Sequence, residues 1–175
     1  MTFTEGNLEI DIADAVGGRR FEDQHGLSHC MKAVDLVVEL PDRYLYIELK
    51  DPQHPRATPK SRGEFIEELL SGRLDEALKY KHRYSFLYEW ASGRADKPVD
   101  YLVLIALNTL DEAHLVTRTE ALSRALPQRG PDGQPWQRDI VGGCGVFNLE
   151  SWTRSFPDYP ASRLVAPGQR DGGAR

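Results

Sequence analysis

The sequence predicts an α/β protein with a mixed central sheet flanked by helices. Apolar and polar residues alternate on both sides of Pro41-Asp42, which is typical of a β-hairpin. Apolar residues at helical spacing predict a long helix over residues 61–92, with a break at Ser71-Gly72. A near-continuous apolar run from Val99 to Leu107 indicates a central strand buried on both faces.

The hairpin has a register that can be predicted from its turn. If Leu40 pairs with Arg43, then Val37 faces Tyr46 and Asp35 faces Glu48. A four-residue loop with Glu39 opposite Tyr44 leads to the same register. One face is then apolar and belongs to the core: Val34, Leu36, Val38, Leu40, Leu45, Ile47 and Leu49.

The opposite face of the hairpin carries the charged residues Asp35, Glu48 and Lys50. Two carboxylates directly across from each other repel and destabilise the strand pair unless a positive charge lies between them. A divalent cation such as Mg²⁺ would resolve the repulsion, because it prefers oxygen ligands. The alternative is a solvated hairpin face on which Glu48 and Lys50 pair along the strand.

Asp35 followed by Glu48-Leu49-Lys50 resembles the PD-(D/E)xK signature of restriction-endonuclease-like phosphodiesterases. The resemblance implies a core of helix, three strands, helix and strand, here with a C-terminal helix and strand added. It implies one or two Mg²⁺ ions, replaceable by Mn²⁺, held by Asp35, Glu48, the backbone carbonyl of Leu49 and a first-helix carboxylate. In that family Lys50 would orient the attacking water or stabilise the transition state. A catalytically silent module of the same fold, serving as a nucleic-acid-binding or protein-interaction subunit, is the alternative.

The first helix of such a core is expected over Thr4 to Val16, ended by Gly17-Gly18. The alternation of Leu8, Ile10 and Ile12 equally supports a strand. Within this helix Glu9 is our candidate metal ligand, with Asp11 or Glu5 as alternatives. The first strand of the sheet is expected around Leu27 to Met31, or as a continuation of the hairpin.

Two basic groups are candidates for contact with a nucleic-acid backbone. A proline-rich loop follows Lys50, and a helix with a capping box at Ser61-Arg62-Gly63-Glu64 follows the loop. The equal alternatives are a plain connector for the loop and an ordinary solvated face for the helical group. The candidates are Arg56, Lys60 and Arg62 in the first group and Lys79, Lys81 and Arg83 in the second.

The C-terminal part should add a helix, an edge strand and a short helix. A second capping box at Thr109-Leu110-Asp111-Glu112 predicts a helix that runs to Pro127, and Ile140 to Phe147 predicts an edge strand or a strand with a bulge. Asn148 is expected to cap the short helix. We expect one domain over residues 1–165 and a disordered tail over residues 166–175, which are rich in Gly, Arg and Asp.

Composition and net charge limit the expected cellular location and the expected binding partners. Neither of the two cysteines matches a zinc or redox spacing, and the N-terminus lacks a signal sequence, so a cytoplasmic protein without membrane contact is expected. The net charge of −5 argues against a dedicated, high-affinity DNA binder but not against a metal-dependent nuclease with a local basic patch. The resemblance makes DNA the expected partner, and a homodimer is an option because many nucleases with this core dimerise.

Overall fold

A computed structural model describes residues 1–22, 25–128, 130–132, 134 and 136–164. The elements in chain order are β1 (Thr2–Glu5), β2 (Leu8–Asp11), β3 (Gly17–Arg20), β4 (Leu36–Glu39), β5 (Tyr44–Lys50), α1 (Pro59–Ser71), α2 (Arg73–Ala91), β6 (Val99–Ile105), α3 (Glu112–Ala125), β7 (Gly143–Phe147), α4 (Leu149–Ser155) and β8 (Ala161–Arg163). No helix in the described ranges combines the length and the apolar character needed to cross a membrane.

The protein is an α/β protein built on two sheets. The larger sheet has five strands in the order β3-β4-β5-β6-β7 and is mixed. Its first three strands are antiparallel, whereas β5, β6 and β7 run parallel because α1 and α2, and then α3, connect them as crossovers. The smaller sheet is antiparallel, in the order β1-β2-β8.

Both faces of the five-stranded sheet are covered. Helices α1, α2 and α3 cover one face, where buried leucines of these helices pack on Val37, Tyr46, Tyr101 and Val103. The smaller sheet and α4 cover the other face, where Leu8, Ile10, Ile12 and Trp152 pack on Leu36, Ile47 and Leu104. The predicted central strand is confirmed, since β6 lies between β5 and β7 and six of its seven residues are hydrophobic and at most 6% exposed.

The predicted hairpin and its register are confirmed. Val37 pairs with Tyr46 and Glu39 with Tyr44, and the Leu40 N–H donates to the Arg43 carbonyl at 2.8 Å. The prediction was wrong for Val34, which packs with the opposite cluster. Its N–H donates to Ser85 Oγ of α2 at 3.0 Å, and β4 begins only at Leu36, so the strand alternation does not extend to it.

The helix predicted over Thr4 to Val16 is wrong, because this segment forms the β1–β2 hairpin. Gly6 adopts φ 57° and permits the tight turn between the strands. The period of two, which the sequence also displayed, places Leu8 and Ile10 in the core. Gly17 and Gly18 do not end a helix but belong to β3, the first strand of the larger sheet. Leu27 to Met31 is not a strand, since the N–H groups of Cys30 and Met31 donate to the Leu27 carbonyl in a turn.

The long helix breaks at Gly72 as predicted, into α1 and α2. Two capping boxes were misplaced by a few residues. Thr58 caps α1 and exchanges hydrogen bonds with Ser61, and Asp111 caps α3 by accepting from the His114 N–H at 2.9 Å. Pro59 suits the first position of α1 and Glu112 that of α3, so each helix begins there and the residue before it is the cap.

The edge strand and the short helix agree with the predictions, although β7 begins at Gly143 and β8 was not predicted. Strand β7 is an edge strand that pairs with β6, and Asn148 caps α4 with a capping box to Ser151. Strand β8 then returns to the smaller sheet. The tail predicted over residues 166–175 lies outside the described residues.

Candidate functional site

The hairpin brings Asp35 and Glu48 to the helix-covered side of the larger sheet. Asp35 precedes β4 and is 6% exposed, and Glu48 lies in β5 with no exposed surface. Asp35 Oδ2 accepts a hydrogen bond from the Leu49 backbone N–H at 2.6 Å, which fixes one carboxylate oxygen. The alternative of a solvated face is wrong, because α2 covers this face, but the pairing of Glu48 with Lys50 that it included is present.

Lys50 lies beside Glu48 at the rim of this cluster. Its Nζ is 2.5 Å from Glu48 Oε1, and its side chain is 30% exposed. Lys50 is the last residue of β5, where the strand emerges from under the helices. The three residues of the sequence motif therefore converge, with Lys50 between the buried carboxylates and solvent.

Lys81 of α2 points into the carboxylate cluster. Its Nζ lies 2.8 Å from Glu48 Oε1, 3.5 Å from Asp35 Oδ1 and 3.3 Å from Glu22 Oε1. Lys81 was predicted as part of a basic group that contacts a nucleic-acid backbone, and its side chain is only 12% exposed and directed at the carboxylates. The helix faces the sheet with several polar residues, so its apolar pattern did not indicate the buried side: Asp75, His82, Ser85 and Glu89 are all buried, whereas Leu87 is half exposed.

Glu22 supplies a third carboxylate that the sequence analysis did not identify. The N–H of its neighbour Phe21 donates to the Asp35 carbonyl at 2.8 Å, so the chain just after β3 runs beside Asp35. The Glu22 side chain is hydrogen-bonded to the Asp35 side chain and is 52% exposed. In the sequence Glu22 is one of two adjacent acids in a stretch for which no helix or strand was predicted, so no pattern could have selected Glu22 as a site residue.

The electrostatics of the cluster follow from burial and from three acids in contact. Burial, followed by the charge of Glu48, raises the pKa of Asp35 to about 8. Burial works against ionisation of Glu22 too, but the hydrogen bond from Asp35 and the charge of Lys81 lower its pKa overall. Burial opposes the charge on Lys81, yet the neighbouring Glu48 and Asp35 raise its pKa, so this lysine is an ammonium. Asp35 therefore holds a proton that it shares with Glu22 near neutral pH.

The structure does not bring Glu9 to this cluster. Glu9 lies in β2 of the smaller sheet, opposite Thr4 on one side and Ser162 on the other. Its neighbours Leu8 and Ile10 pack against the far face of the larger sheet. The expected first-helix ligand is absent because its segment is a strand, and Asp11 and Glu5, the two alternatives, lie in the same small sheet.

Of the remaining basic candidates, Arg56, Lys60, Arg62 and Arg83 are exposed, whereas the Lys79 side chain is only 15% exposed. Lys60 is 85% exposed and 3.8 Å from Glu64, and Arg56 is exposed. Arg62 Nε donates to the Pro52 carbonyl at 3.1 Å, which ties α1 to the loop that follows Lys50. On α2, Lys79 is ion-paired with Glu76 at 2.5 Å, and Arg83 Nη2 donates to the Ala125 carbonyl of α3.

The donor set fits a hard divalent cation in two respects. Glu48 Oε2 is buried and has no hydrogen-bond partner among the described residues, so one carboxylate oxygen is left for a further ligand. At a pH where Asp35 is ionised, the two lysines do not balance Glu22, Asp35 and Glu48, so a cation would compete with the proton that Asp35 holds near neutral pH. No group of three or more His, Cys, Asp or Glu side chains in the described ranges could hold a metal ion. Mg²⁺ commonly takes one or two carboxylates and keeps waters, and Asp35 with Glu48 meets that requirement.

Comparison of the chain with protein-family models, with curated proteins and with solved structures found no match. The functional assignment therefore depends on the residues and on their geometry alone.

Proposed function

We propose that this protein is a metal-dependent phosphodiesterase that hydrolyses nucleic acid, with DNA as the expected substrate. The observation that carries the proposal is the convergence of Asp35, Glu48 and Lys50 with the ammonium of Lys81 in one half-buried cluster. Opposed carboxylates flanked by lysines are suited to holding a cation and to stabilising negative charge on a phosphoryl group.

The order of elements supports a restriction-endonuclease-like core. Three antiparallel strands, a helical crossover and a parallel strand correspond to β3, β4, β5, α1–α2 and β6. The first helix of that core is replaced here by the β1–β2 hairpin.

Each residue has a role that its position supports. Asp35 and Glu48 would hold Mg²⁺ or Mn²⁺, with Leu49 contributing its carbonyl. A bound ion would polarise the phosphoryl oxygen and lower the pKa of its water. Lys50, partly exposed at the rim, is placed to meet the substrate phosphate and to stabilise the charge that develops on it. The ammonium of Lys81 reduces the repulsion between the two buried carboxylates and holds them in position.

One observation favours the alternative of a catalytically silent module. Lys81 lies within 3.5 Å of both buried carboxylates and partly satisfies their charge without a metal ion. A protein that uses the cluster only as a structural ion pair would keep this arrangement and bind no cation.

A DNA-cleavage assay distinguishes the phosphodiesterase from the catalytically silent module. We expect the wild-type protein to cut labelled linear, nicked or branched DNA in the presence of Mn²⁺. Lys50→Ala should lower the cleavage rate by at least about 100-fold, because it removes a charge that stabilises the transition state. Circular dichroism should report an unchanged fold, since Lys50 lies at the exposed end of its strand.

The matched control is Lys32→Ala, which removes an exposed lysine outside the cluster. It should cleave at the wild-type rate. Equal cleavage by Lys50→Ala and Lys32→Ala would remove the catalytic assignment of Lys50, and the absence of any cleavage by the wild-type protein would favour the silent module.

A further inference from the structure

A second charged cluster lies beside the carboxylates, on the same side of the sheet. Its centre is Glu89 of α2, which is 1% exposed. Arg94 Nε and Nη2 donate to the two oxygens of Glu89 at 3.0 and 3.2 Å, a bidentate pair. Arg19 of β3 forms a second ion pair with Glu89 through Nη2.

Each arginine also lies against an aromatic ring. The guanidinium carbon of Arg19 is 5.3 Å from the centre of the Phe21 ring, and that of Arg94 is 5.9 Å from the centre of the Tyr88 ring. Phe21 and Tyr88 contact each other edge to face. These four side chains line a surface cavity of about 280 Å³.

The charges of this cavity do not cancel. Two guanidinium groups share the single carboxylate of Glu89, which leaves one positive charge. The arginine side chains are 32% and 47% exposed, so their charge reaches solvent, whereas Glu89 is buried beneath them. Glu89 accepts two of the five N–H donors of Arg94, and a guanidinium can take a further oxygen ligand on its remaining edge.

Two members of the carboxylate cluster, Glu22 and Lys81, lie on the same two segments as the cavity. The segment that contains Arg19 and Phe21 continues directly into Glu22, whose side chain contacts Asp35. On α2, Lys81 and Glu89 are eight residues apart, which corresponds to about 12 Å along the helix axis. Charges on one strand of B-form DNA are spaced by about 3.4 Å along the axis, so the distance spans about three to four nucleotides.

We propose that the cavity formed by Arg19, Phe21, Tyr88 and Arg94 binds a phosphodiester group of a nucleic-acid strand, a few nucleotides from the phosphate at the Asp35–Glu48 cluster. The guanidinium edges bind the phosphate oxygens, and Glu89 orients both arginines from below. The partly exposed Tyr88 ring forms one wall, against which the neighbouring sugar or base packs. This inference rests on the proposed nucleic-acid substrate and adds a binding site to it.

The test measures binding without cleavage. Fluorescein-labelled single-stranded and duplex DNA of 20 nucleotides is titrated with the full chain in EDTA, at several NaCl concentrations. We expect Arg94→Gln to weaken binding of at least one of the two DNAs by about 5- to 30-fold and to reduce the slope of log K against log[salt] by about 1. Arg94→Lys should restore the salt slope but only part of the affinity, because an ammonium keeps the charge and loses the planar donor pair.

The variants are chosen so that the fold is retained. Glu89 stays paired with Arg19 when Arg94 is replaced. The matched control is Arg154→Gln, which removes an exposed arginine of α4 that is paired with Glu112. It should bind DNA as the wild-type protein does, and thermal unfolding should show that both variants are folded.

The outcomes separate this inference from the proposed function. Binding that depends on Arg94 in a protein that never cleaves DNA would support the cavity and contradict the phosphodiesterase. Cleavage by a protein whose DNA affinity and salt slope are the same with Arg94→Gln as with Arg154→Gln would contradict the cavity alone. Failure of the wild-type protein to bind either DNA would overturn the inference.

Discussion

Asp35 is an acid whose folded environment favours its neutral form. Its pKa is raised to about 8 by burial and by the charge of Glu48, whereas an aspartate in an unfolded chain titrates near pH 4. Between these two values the folded protein binds more protons than the unfolded chain, so Asp35 makes the protein less stable as the pH rises. The stabilising contribution of the protonated acid is fully present below about pH 4 and is lost on the way to pH 8.

Asp35→Asn should therefore stabilise the metal-free protein at high pH. Asparagine resembles the neutral acid, can accept the Leu49 N–H and leaves Lys81 paired with Glu48 and Glu22. We expect the difference in free energy of unfolding between Asp35→Asn and wild type to increase by about 1–3 kcal/mol from pH 5.5 to pH 8. Urea unfolding in EDTA at the two pH values measures it.

The control for this measurement is Asp158→Asn, an exposed aspartate on the surface. The difference between Asp158→Asn and wild type should change by less than about 0.5 kcal/mol over the same pH range. An Asp35→Asn difference that stayed constant or shrank as the pH rose would show that Asp35 is ionised in the folded protein.

His82 is a second buried ionisable residue, on the same helix as Lys81. It has no exposed surface, and neither ring nitrogen has a hydrogen-bond partner among the described residues. Its ring lies between Tyr46, Tyr101 and Phe86. Burial, with the charge of Arg83, lowers its pKa to about 3. This histidine is therefore a neutral core residue.

The low pKa of His82 predicts a loss of stability in weak acid. Unfolded histidine binds a proton below about pH 6.5, and the folded one does not until about pH 3, so stability falls as the pH decreases through this range. From pH 7 to pH 5 we expect the wild-type protein to lose about 2 kcal/mol more than His82→Phe does. Denaturant unfolding at both pH values tests this.

The exposed His29 provides the comparison. His29→Gln should keep the wild-type pH dependence. The same pH dependence in His82→Phe as in wild type would mean that His82 protonates in the folded protein.

The site residues differ in how far the sequence could identify them. Asp35, Glu48 and Lys50 lie within one hairpin, so strand alternation and the turn were enough to place them on one face. Glu22 and Lys81 reach the same cluster through tertiary packing, from a loop and from a helix 59 residues apart. No local pattern encodes that approach. Because α2 buries polar residues, its apolar periodicity did not indicate which side faces the sheet.

At the scale of elements, the break between α1 and α2 depends on one glycine. Gly72 adopts φ 81°, a conformation that residues with a side chain adopt at a cost of about 1–2 kcal/mol. A Cβ atom there would also lie 3.2 Å from Arg118 Nη1, which donates to Asp75 at 2.8 Å. Gly72→Ala should therefore lower the free energy of unfolding by about 1–2 kcal/mol, measured by denaturant unfolding.

Gly63 in α1 offers the matched glycine. A Cβ atom there would meet nothing within 4 Å, and its backbone is helical. Gly63→Ala should raise stability by about 0.5–1 kcal/mol, since alanine favours the helix. If both substitutions changed stability in the same direction, the left-handed turn at Gly72 would not be the feature that separates the helices.

The N-terminal segment shows why some elements could not be decided from sequence. Residues 8–12 carry apolar side chains at positions that fit either a helix or a strand, and the outcome depends on what they pack against. Strand β2 pairs with β1, its neighbour in the chain, and with β8, which lies at the other end of the described chain and contributes only three residues. By contrast, β6 and the β4–β5 hairpin carry their own pattern and turn, so they were predicted correctly.

At the scale of the whole molecule, two layers pack on one sheet, and among the described residues the buried ionisable side chains lie on the side of the helix layer. The layer of β1, β2, β8 and α4 buries apolar side chains against the sheet. The helix layer buries Asp35, Glu48, His82 and Glu89. Burying this many polar groups costs stability, which is the pattern expected where a protein maintains a site for function.

A metal ion bound at the cluster should offset part of this loss of stability. A cation that binds only the folded protein stabilises it by about 2.7 kcal/mol at a concentration of 100 times its dissociation constant. The ion would also displace the proton that Asp35 shares with Glu22, so binding should be tighter at pH 8.5 than at pH 6.

The most direct measurement is a calorimetric titration of Mn²⁺ into the wild-type protein, Asp35→Asn and Asp158→Asn at pH 8.5. We expect saturable binding to the wild-type protein and to Asp158→Asn, and none to Asp35→Asn, because the amide removes one of the two carboxylates that hold the ion. Saturable binding of equal affinity in Asp35→Asn, or no binding in any of the three proteins, would contradict a metal site at Asp35 and Glu48.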